Sequence, residues 1–476
     1  MPLRKIRRYK IVLAGAILAL ATSPTSLAQS SNSTDSSQKT FHLDDAVSYA
    51  LAHYPTVRAA LSQARAAQAG VSLARTAYLP QANGLWQMNR GTRNNVFGQL
   101  LPQSVIAPIS GPVLPNASDA NVWDDAAGLL VSWEPFDFGY RRAMVNAARF
   151  DAAASDAQVK VTRLDVARAT AETFLGVLAA KQVAKSAQAD VDRRDVFAKS
   201  VNALVQSELR PGADASRAAA DLAQARIRLI QAQTAERVRR AAFADLLGLP
   251  SAGIEIVPGS LLDTAPQGSL APGDPVTNPL AVAQRTRVDQ SQARDQALAR
   301  SYYPRFSLQS AISARGSGAE VNGNTLGGTN GLEFQRMNWI AGVQMTFPIL
   351  QIFSIHEQRR VQQANEDAEK ARYDQTVQDL SSQIEQARIN LDGSRQIAEN
   401  TSIALSSARD SEQQARARYQ AGLATSIEVS EAESQLAQAE MDDAVARLTV
   451  WHDLAEVAAA QGDLQPFLEL VQGAGH

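Results

Sequence analysis

From Tyr140 to Ser207 the chain contains no proline, and a second proline-free stretch runs from about 352 to 420. At 1.5 Å per residue each is long enough for a helical rod of roughly 100 Å, far longer than the helices of an ordinary globular domain. The residues in these rods repeat on more than one flank. In the first, Val159, Thr162, Val166, Ala169, Thr173, Gly176 and Ala180 form one seam at spacings of three and four, and Leu164, Ala167, Ala171, Phe174 and Leu178 form another, offset by five residues. In the second rod, Tyr373, Val377, Leu380, Ile384, Ala387 and Leu391 carry the same heptad spacing. A helix with seams on both flanks belongs in a wall of helices, and the small seam residues allow close approach. Aromatics make up only 6% of the residues, which suits narrow seams better than a thick core.

The two rods belong to two similar halves. Pro55 and Pro80 bracket a helical segment ending Ala77-Tyr78-Leu79-Pro80, and Pro279 and Pro304 bracket another ending Ser301-Tyr302-Tyr303-Pro304. Trp133-Glu134-Pro135-Phe136 corresponds to Thr346-Phe347-Pro348-Ile349, and Leu222-Ala223-Gln224-Ala225 to Leu436-Ala437-Gln438-Ala439. Residues 43–248 and 278–460 each read as helix, strand pair, very long helix, tight turn and helix. Residues 249–277, rich in Pro and Gly, read as a linker, 29–42 as a flexible N-terminal segment and 461–476 as a C-terminal tail.

The strand pairs fall at about 80–90 with 122–135 and 304–315 with 337–348. Trp123, Ala127, Leu129, Val131 and Trp133 lie on one face of their strand and Asp124, Ser132 and Glu134 on the other. Trp339, Ala341, Val343, Met345 and Phe347 likewise oppose Asn338, Gln344 and Thr346. Each run has the length of a tilted transmembrane strand. Alternation alone also fits an amphipathic sheet over a soluble core. Of the five tryptophans, Trp86, Trp123, Trp133 and Trp339 sit on the apolar faces, which favours an aromatic girdle at membrane interfaces. The loops between paired strands, 91–121 and 316–336, are then expected to face the cell exterior.

The first 28 residues read as a secretory signal peptide. Arg4, Lys5, Arg7, Arg8 and Lys10 precede an apolar run from Ile11 to Ala21, and Ser26-Leu27-Ala28 supplies the cleavage site. No later stretch approaches the ~20 apolar residues of a membrane-spanning helix. The chain has no cysteine, which excludes disulfides and a lipidated cysteine. The formal charge of −2 becomes about −7 without the signal residues, so a nucleic-acid partner is not expected. His42, His53, His356, His452 and His476 show no zinc-ligand spacing. Neither a phosphate-binding Gly-rich loop nor a nucleophile elbow is present. No catalytic residue, cofactor or metal is therefore expected.

The segment Tyr419-Gln420-Ala421-Gly422-Leu423-Ala424-Thr425-Ser426-Ile427-Glu428-Val429-Ser430-Glu431-Ala432, with its first-half counterpart Leu209-Arg210-Pro211-Gly212-Ala213-Asp214, completes a pattern that resembles the TolC-like outer membrane efflux family over essentially the whole mature chain. The resemblance implies a mainly α protein with a β-barrel portion. Three subunits would form a 12-stranded outer membrane barrel continued by a periplasmic α-helical tunnel, and a periplasmic adaptor would link it to an inner membrane pump. By position, Glu428, Glu431 and Asp214 would ring the periplasmic entrance, and Arg210, Pro211, Gly212, Gly422 and Leu423 would form the tips that meet the adaptor. Family members often carry Asp at the constriction, and some place a basic residue where Ala424 stands. Glu428 and Glu431 near a helix start are also what the helix dipole alone would favour. A periplasmic adaptor, or a coiled-coil scaffold without a pore, is the alternative reading. It gives no reason for tryptophans on exposed strand faces.

Overall fold

The computed structural model describes residues 39–95, 99–108, 111–113, 116–208, 211–262, 266, 268, 270–322 and 324–473. The signal peptide expected at 1–28, most of the segment 29–42, and Arg210 lie outside them. The first half runs α1 (Leu43–His53), α2 (Pro55–Thr76), β2 (Gln81–Thr92), β3 (Asn121–Phe136), α3 (Tyr140–Gln206) and α4 (Gly212–Leu247). The second half repeats the order with α5 (Pro279–Arg300), β5 (Arg305–Ser317), β6 (Arg336–Thr346), α6 (Ile352–Gln420) and α7 (Ser426–Gln461).

Helices α3 and α6 have 67 and 69 residues and act as the long staves. The shorter α2 and α4 both pack along α3, while α5 and α7 both pack along α6 and also against α3. The lateral order is thus α2 or α4, then α3, then α5 or α7, then α6. In α3 the buried residues Val166, Ala167, Ala171, Phe174 and Leu178 face these neighbours. Leu380, Ile384, Ala387 and Leu391 form the matching buried seam of α6. Gly462, with φ of 93°, ends α7 where a Cβ would come within 2.6 Å of Pro279 Cδ, so only glycine lets this helix end meet the start of α5.

Strands β2-β3-β5-β6 form one antiparallel sheet in that order, leaving β2 and β6 as edges. Antiparallel partners share a face, so the register places Trp86 with Ala127, Trp133 with Leu308 and Trp339 with Ile312 on the apolar side. Asn89 lies with Asp124, and Gln87 with Ala126 and Arg315, on the polar side. The apolar face is open: Trp86 is 68% and Trp339 80% exposed.

Three sequence expectations are corrected. Residues 39–41, at the end of the N-terminal segment expected to be flexible, form β1 (Lys39–Phe41), which pairs in parallel with β4 (Ile254–Ile256) inside the supposed linker. The supposed tail contains α8 (Gln465–Gly473), whose Phe467 is fully buried. These pieces join Leu43, Phe174, Phe243, Leu261 and Trp451 in the largest hydrophobic cluster, so apolar burial organises both segments. Residues 99–108, in a loop expected to face the cell exterior, fold back onto the polar face of the sheet. Leu101 N–H donates to Gln87 Oε1 at 3.0 Å, Asn89 Nδ2 donates to Gln99 O, and the buried Ile106 sits over Gly128, where a Cβ would be 2.7 Å from Ile106 Cγ1.

Candidate functional site at the hairpin tips

The two long hairpins, α3–α4 and α6–α7, turn at the same end of the molecule and pack on each other there. Val201, Ala198, Ala218, Tyr419, Ala424 and Val429 form a separate hydrophobic cluster, with Phe197 tilted against Tyr419 at 5.4 Å between ring centroids. Ala424 is buried in this cluster, so the position holds the hairpins together by packing. The turns differ chemically. Pro211 precedes α4 without a side-chain cap, whereas α7 opens on a full capping box: Thr425 Oγ1 accepts from the Glu428 N–H, and the Glu428 carboxylate accepts from the Thr425 N–H at 3.2 Å. In the second hairpin Gly422, with φ of 77°, makes the turn after α6, where a side chain would be strained.

Polar ties cross between the hairpins. Ser426 Oγ donates to Asp214 Oδ1 at 3.0 Å, Ser430 Oγ to Asp221 Oδ2 at 2.5 Å, and Arg194 Nη2 to Ser434 Oγ at 2.9 Å. Deeper in the wall, Asp190 bridges Arg194 and Arg228, each at 2.9 Å, while Arg416 bridges Glu412 at 2.7 Å and Glu433 at 2.9 Å. Glu433 is only 1% exposed. Burial pushes its carboxyl above the usual range, against the opposing pull of Arg194 and Arg416, and Glu412 adds to the rise.

Of the residues singled out in the sequence, Asp214 is engaged by Ser426, Glu428 by its own helix start, and Glu431 is exposed. Pro211, Gly212, Gly422 and Leu423 are all exposed at the tips, Leu423 at 71%. On the sheet, Trp133 Nε1 donates to Tyr78 O at 3.0 Å, and Arg90 lies over the Trp123 ring at 5.4 Å. The serines and the Arg416–Glu433 pair were missed, because a long-range polar contact leaves no periodic signal. The capping box was readable from Thr425-Ser426-Ile427-Glu428. Among the described residues no cluster of metal-ligating side chains occurs, and no helix is long and apolar enough to cross a membrane.

The sheet with one open apolar face is thus continuous with a wall of very long helices. The model of the outer membrane efflux protein family matches residues 46–249 and 276–463, and the chain belongs to that family. It resides in the outer membrane with a periplasmic extension and is the outer membrane channel component of a tripartite efflux system. Solved structures share the fold. The outer membrane channel OprN superposes with a TM-score of 0.71 at 19% identity, over 88% of this chain and 89% of that one. VceC of Vibrio cholerae gives 0.69 at 18%, over 89% and 97%, and the Campylobacter jejuni channel CmeC gives 0.69 at 16%, over 91% and 89%. A search of curated proteins finds no match.

Proposed function

We propose that three copies of this chain close into a 12-stranded barrel carried on a helical tunnel, and that the hairpin tips form its adaptor-operated periplasmic entrance. The carrying observation is the four-stranded sheet with two unpaired edges, β2 and β6, and one exposed apolar face. A neighbour's β2 set against β6 continues the antiparallel alternation and removes both edges. The helical edges support the same assembly. Leu73 on α2 and Ile227, Ile230 and Val238 on α4 are exposed on one side, and Ile389, Ile397 and Ile403 on α6 are also exposed. Trp86, Trp123, Trp133 and Trp339 form the membrane-facing aromatic band.

Twelve strands ~4.8 Å apart and tilted by about 40° close at a backbone radius of roughly 12 Å. A layer packed about 10 Å from such a sheet reaches close to the axis, so three copies of residues 99–108 narrow the outer mouth. At the other end, Asp214, Glu428 and Glu431 line the entrance, with Glu431 the member whose carboxylate is free to face solutes. Pro211, Gly212, Gly422 and Leu423, together with Arg210, meet the adaptor of an inner membrane pump, which supplies the energy. The lumenal Gln, Asn and Ser side chains make a water-filled passage, and selection of the exported solute rests with the pump.

The test is the native mass after detergent extraction from outer membranes, followed by conductance in planar bilayers. A stable trimer that conducts is expected. A monomer in the soluble periplasm would overturn the channel and favour the adaptor reading.

A further inference from the structure

On the outer side of α3 and α5, just below the sheet, lies a groove of about 670 Å³ lined by Phe138, Arg142 and Arg149 on one side and by Gln296, Arg300 and Tyr303 on the other. Its direction follows from the aromatic residues at its rim. Phe138 stacks on Tyr303 at 5.7 Å and lies 6.4 Å from Phe306, which with Leu308 and Ile312 belongs to the apolar face of β5. The other side of the same helix pair holds a separate cavity of about 900 Å³, bordered by Arg305, Ser307 and Thr346 from the polar face. The groove therefore opens away from the lumen. Because α3 and α5 are the inner pair of the lateral helix order, it also lies away from both edges that a neighbouring subunit would cover.

The charges in the groove are unbalanced. Arg141, on another face of α3, is held by Asp137 at 2.8 Å, Arg294 by Asp151 and Arg359 by Asp295, each at 2.9 Å. Arg142, Arg149 and Arg300 have no ion pair or side-chain hydrogen bond among the described residues, and no acidic side chain lines the groove. The only contact recorded for any of these guanidinium groups is that of Arg300, 5.9 Å from the Tyr303 ring centroid. Three unpaired guanidinium groups set between helices select a phosphate-bearing anion, since the planar fork fits phosphate oxygens.

The height of the groove indicates where that anion comes from. Phe136 ends β3, Arg142 is in the first turn of α3, and Arg149 lies two turns further on the same face, roughly 10 Å lower. The polar layer of a bilayer leaflet is roughly 5–8 Å deep, so the arginines span it directly beneath the aromatic rim. We propose that this groove holds the head group of an anionic phospholipid of the periplasmic leaflet, with its acyl chains lying along Phe136, Phe306 and Leu308. The inference rests on the membrane-inserted reading of the sheet.

The test is native mass spectrometry of the detergent-purified protein with equimolar phosphatidylglycerol and phosphatidylcholine. The wild-type trimer is expected to retain phosphatidylglycerol with a preference of roughly tenfold. The R142Q/R149Q/R300Q trimer should bind the two lipids about equally, while a control lacking three distant exposed arginines, R217Q/R237Q/R409Q, keeps the preference. Millimolar inorganic phosphate should leave the bound lipid in place. Displacement by phosphate would reassign the groove to a free anion and overturn the proposal. A wild-type trimer without lipid preference, or a triple variant that keeps it, would overturn the groove while leaving the barrel standing. A soluble monomer would overturn both.

Discussion

Ser426 donates a 3.0 Å hydrogen bond to Asp214 across 212 residues of sequence, tying the start of α7 to the first turn of α4. With the Ser430–Asp221 bond one turn deeper along α7, it holds the two hairpins at a fixed separation near their tips. Each bond contributes about 1 kcal/mol, so removing both shifts an open–closed equilibrium by roughly 30-fold. D214A/D221A trimers in planar bilayers should show a larger open fraction than wild type, with either single substitution in between. An unchanged open fraction in the double variant would remove these ties from any role at the entrance.

Glu428 and Glu431 are both exposed, but only Glu428 closes the capping box. Because the Glu428 carboxylate closes the capping box, E428A should lower stability by about 1 kcal/mol in denaturant unfolding and change cation preference little. E431A, on an exposed side chain, should leave stability within ~0.5 kcal/mol and reduce the cation over anion permeability of the channel. The opposite pattern would place Glu428 in the ion path.

The buried Glu433 gives the entrance region a defined pH response. Its folded-state pKa lies above the unfolded value, chiefly through burial, so the site is most favourable when protonated. Its contribution to stability is full below the unfolded pKa of about 4.5 and is lost as pH rises through the raised folded value. Arg194, Arg416 and Glu412 face the group and remain in both variants. The melting temperature of wild type minus that of E433Q should therefore increase as pH falls from neutrality toward that value. A pH-independent difference would mean that Glu433 titrates normally.

The contact of Gly128 with Ile106 gives a test of the proposed narrowing at the outer mouth. A valine at 128 cannot coexist with Ile106 in its present place, since even a Cβ there would be 2.7 Å away. G128V should lift residues 99–108 off the lumenal face and raise conductance, and deletion of that segment should do the same without altering the strand. Conductance unchanged in both would show that the loop lies outside the conducting path.

Much of this architecture was legible in the sequence because it rests on periodicity. Trp123, Ala127, Leu129, Val131 and Trp133 recur at odd positions, interrupted by Asp125, and the observed register continues that face through Trp86, Leu308, Ile312 and Trp339. The absence of proline between 140 and 207 foretold α3, whose 67 residues end at Gln206. Where structure depends on one distant partner, the pattern is silent. β1 has three residues and is stabilised by a strand more than 200 positions away. Phe467 sits in what reads as a C-terminal tail, where Leu464, Phe467, Leu468 and Val471 carry a helical spacing too short to stand out, and its T-shaped contact with Trp451 has no local signature. At the site, glycine, proline and acidic residues marked the tips and the Thr425-to-Glu428 spacing marked the capping box, but nothing local announced the bonds of Ser426 and Ser430 to Asp214 and Asp221.

Phe41 and Leu43 share their cluster with Ile254, Trp451 and Phe467, so residues from both ends of the folded chain and from its middle bury one another. A fragment that stops short of Gln465 therefore leaves the cluster around Phe174 and Phe243 without part of its covering, and the docking of α8 closes it.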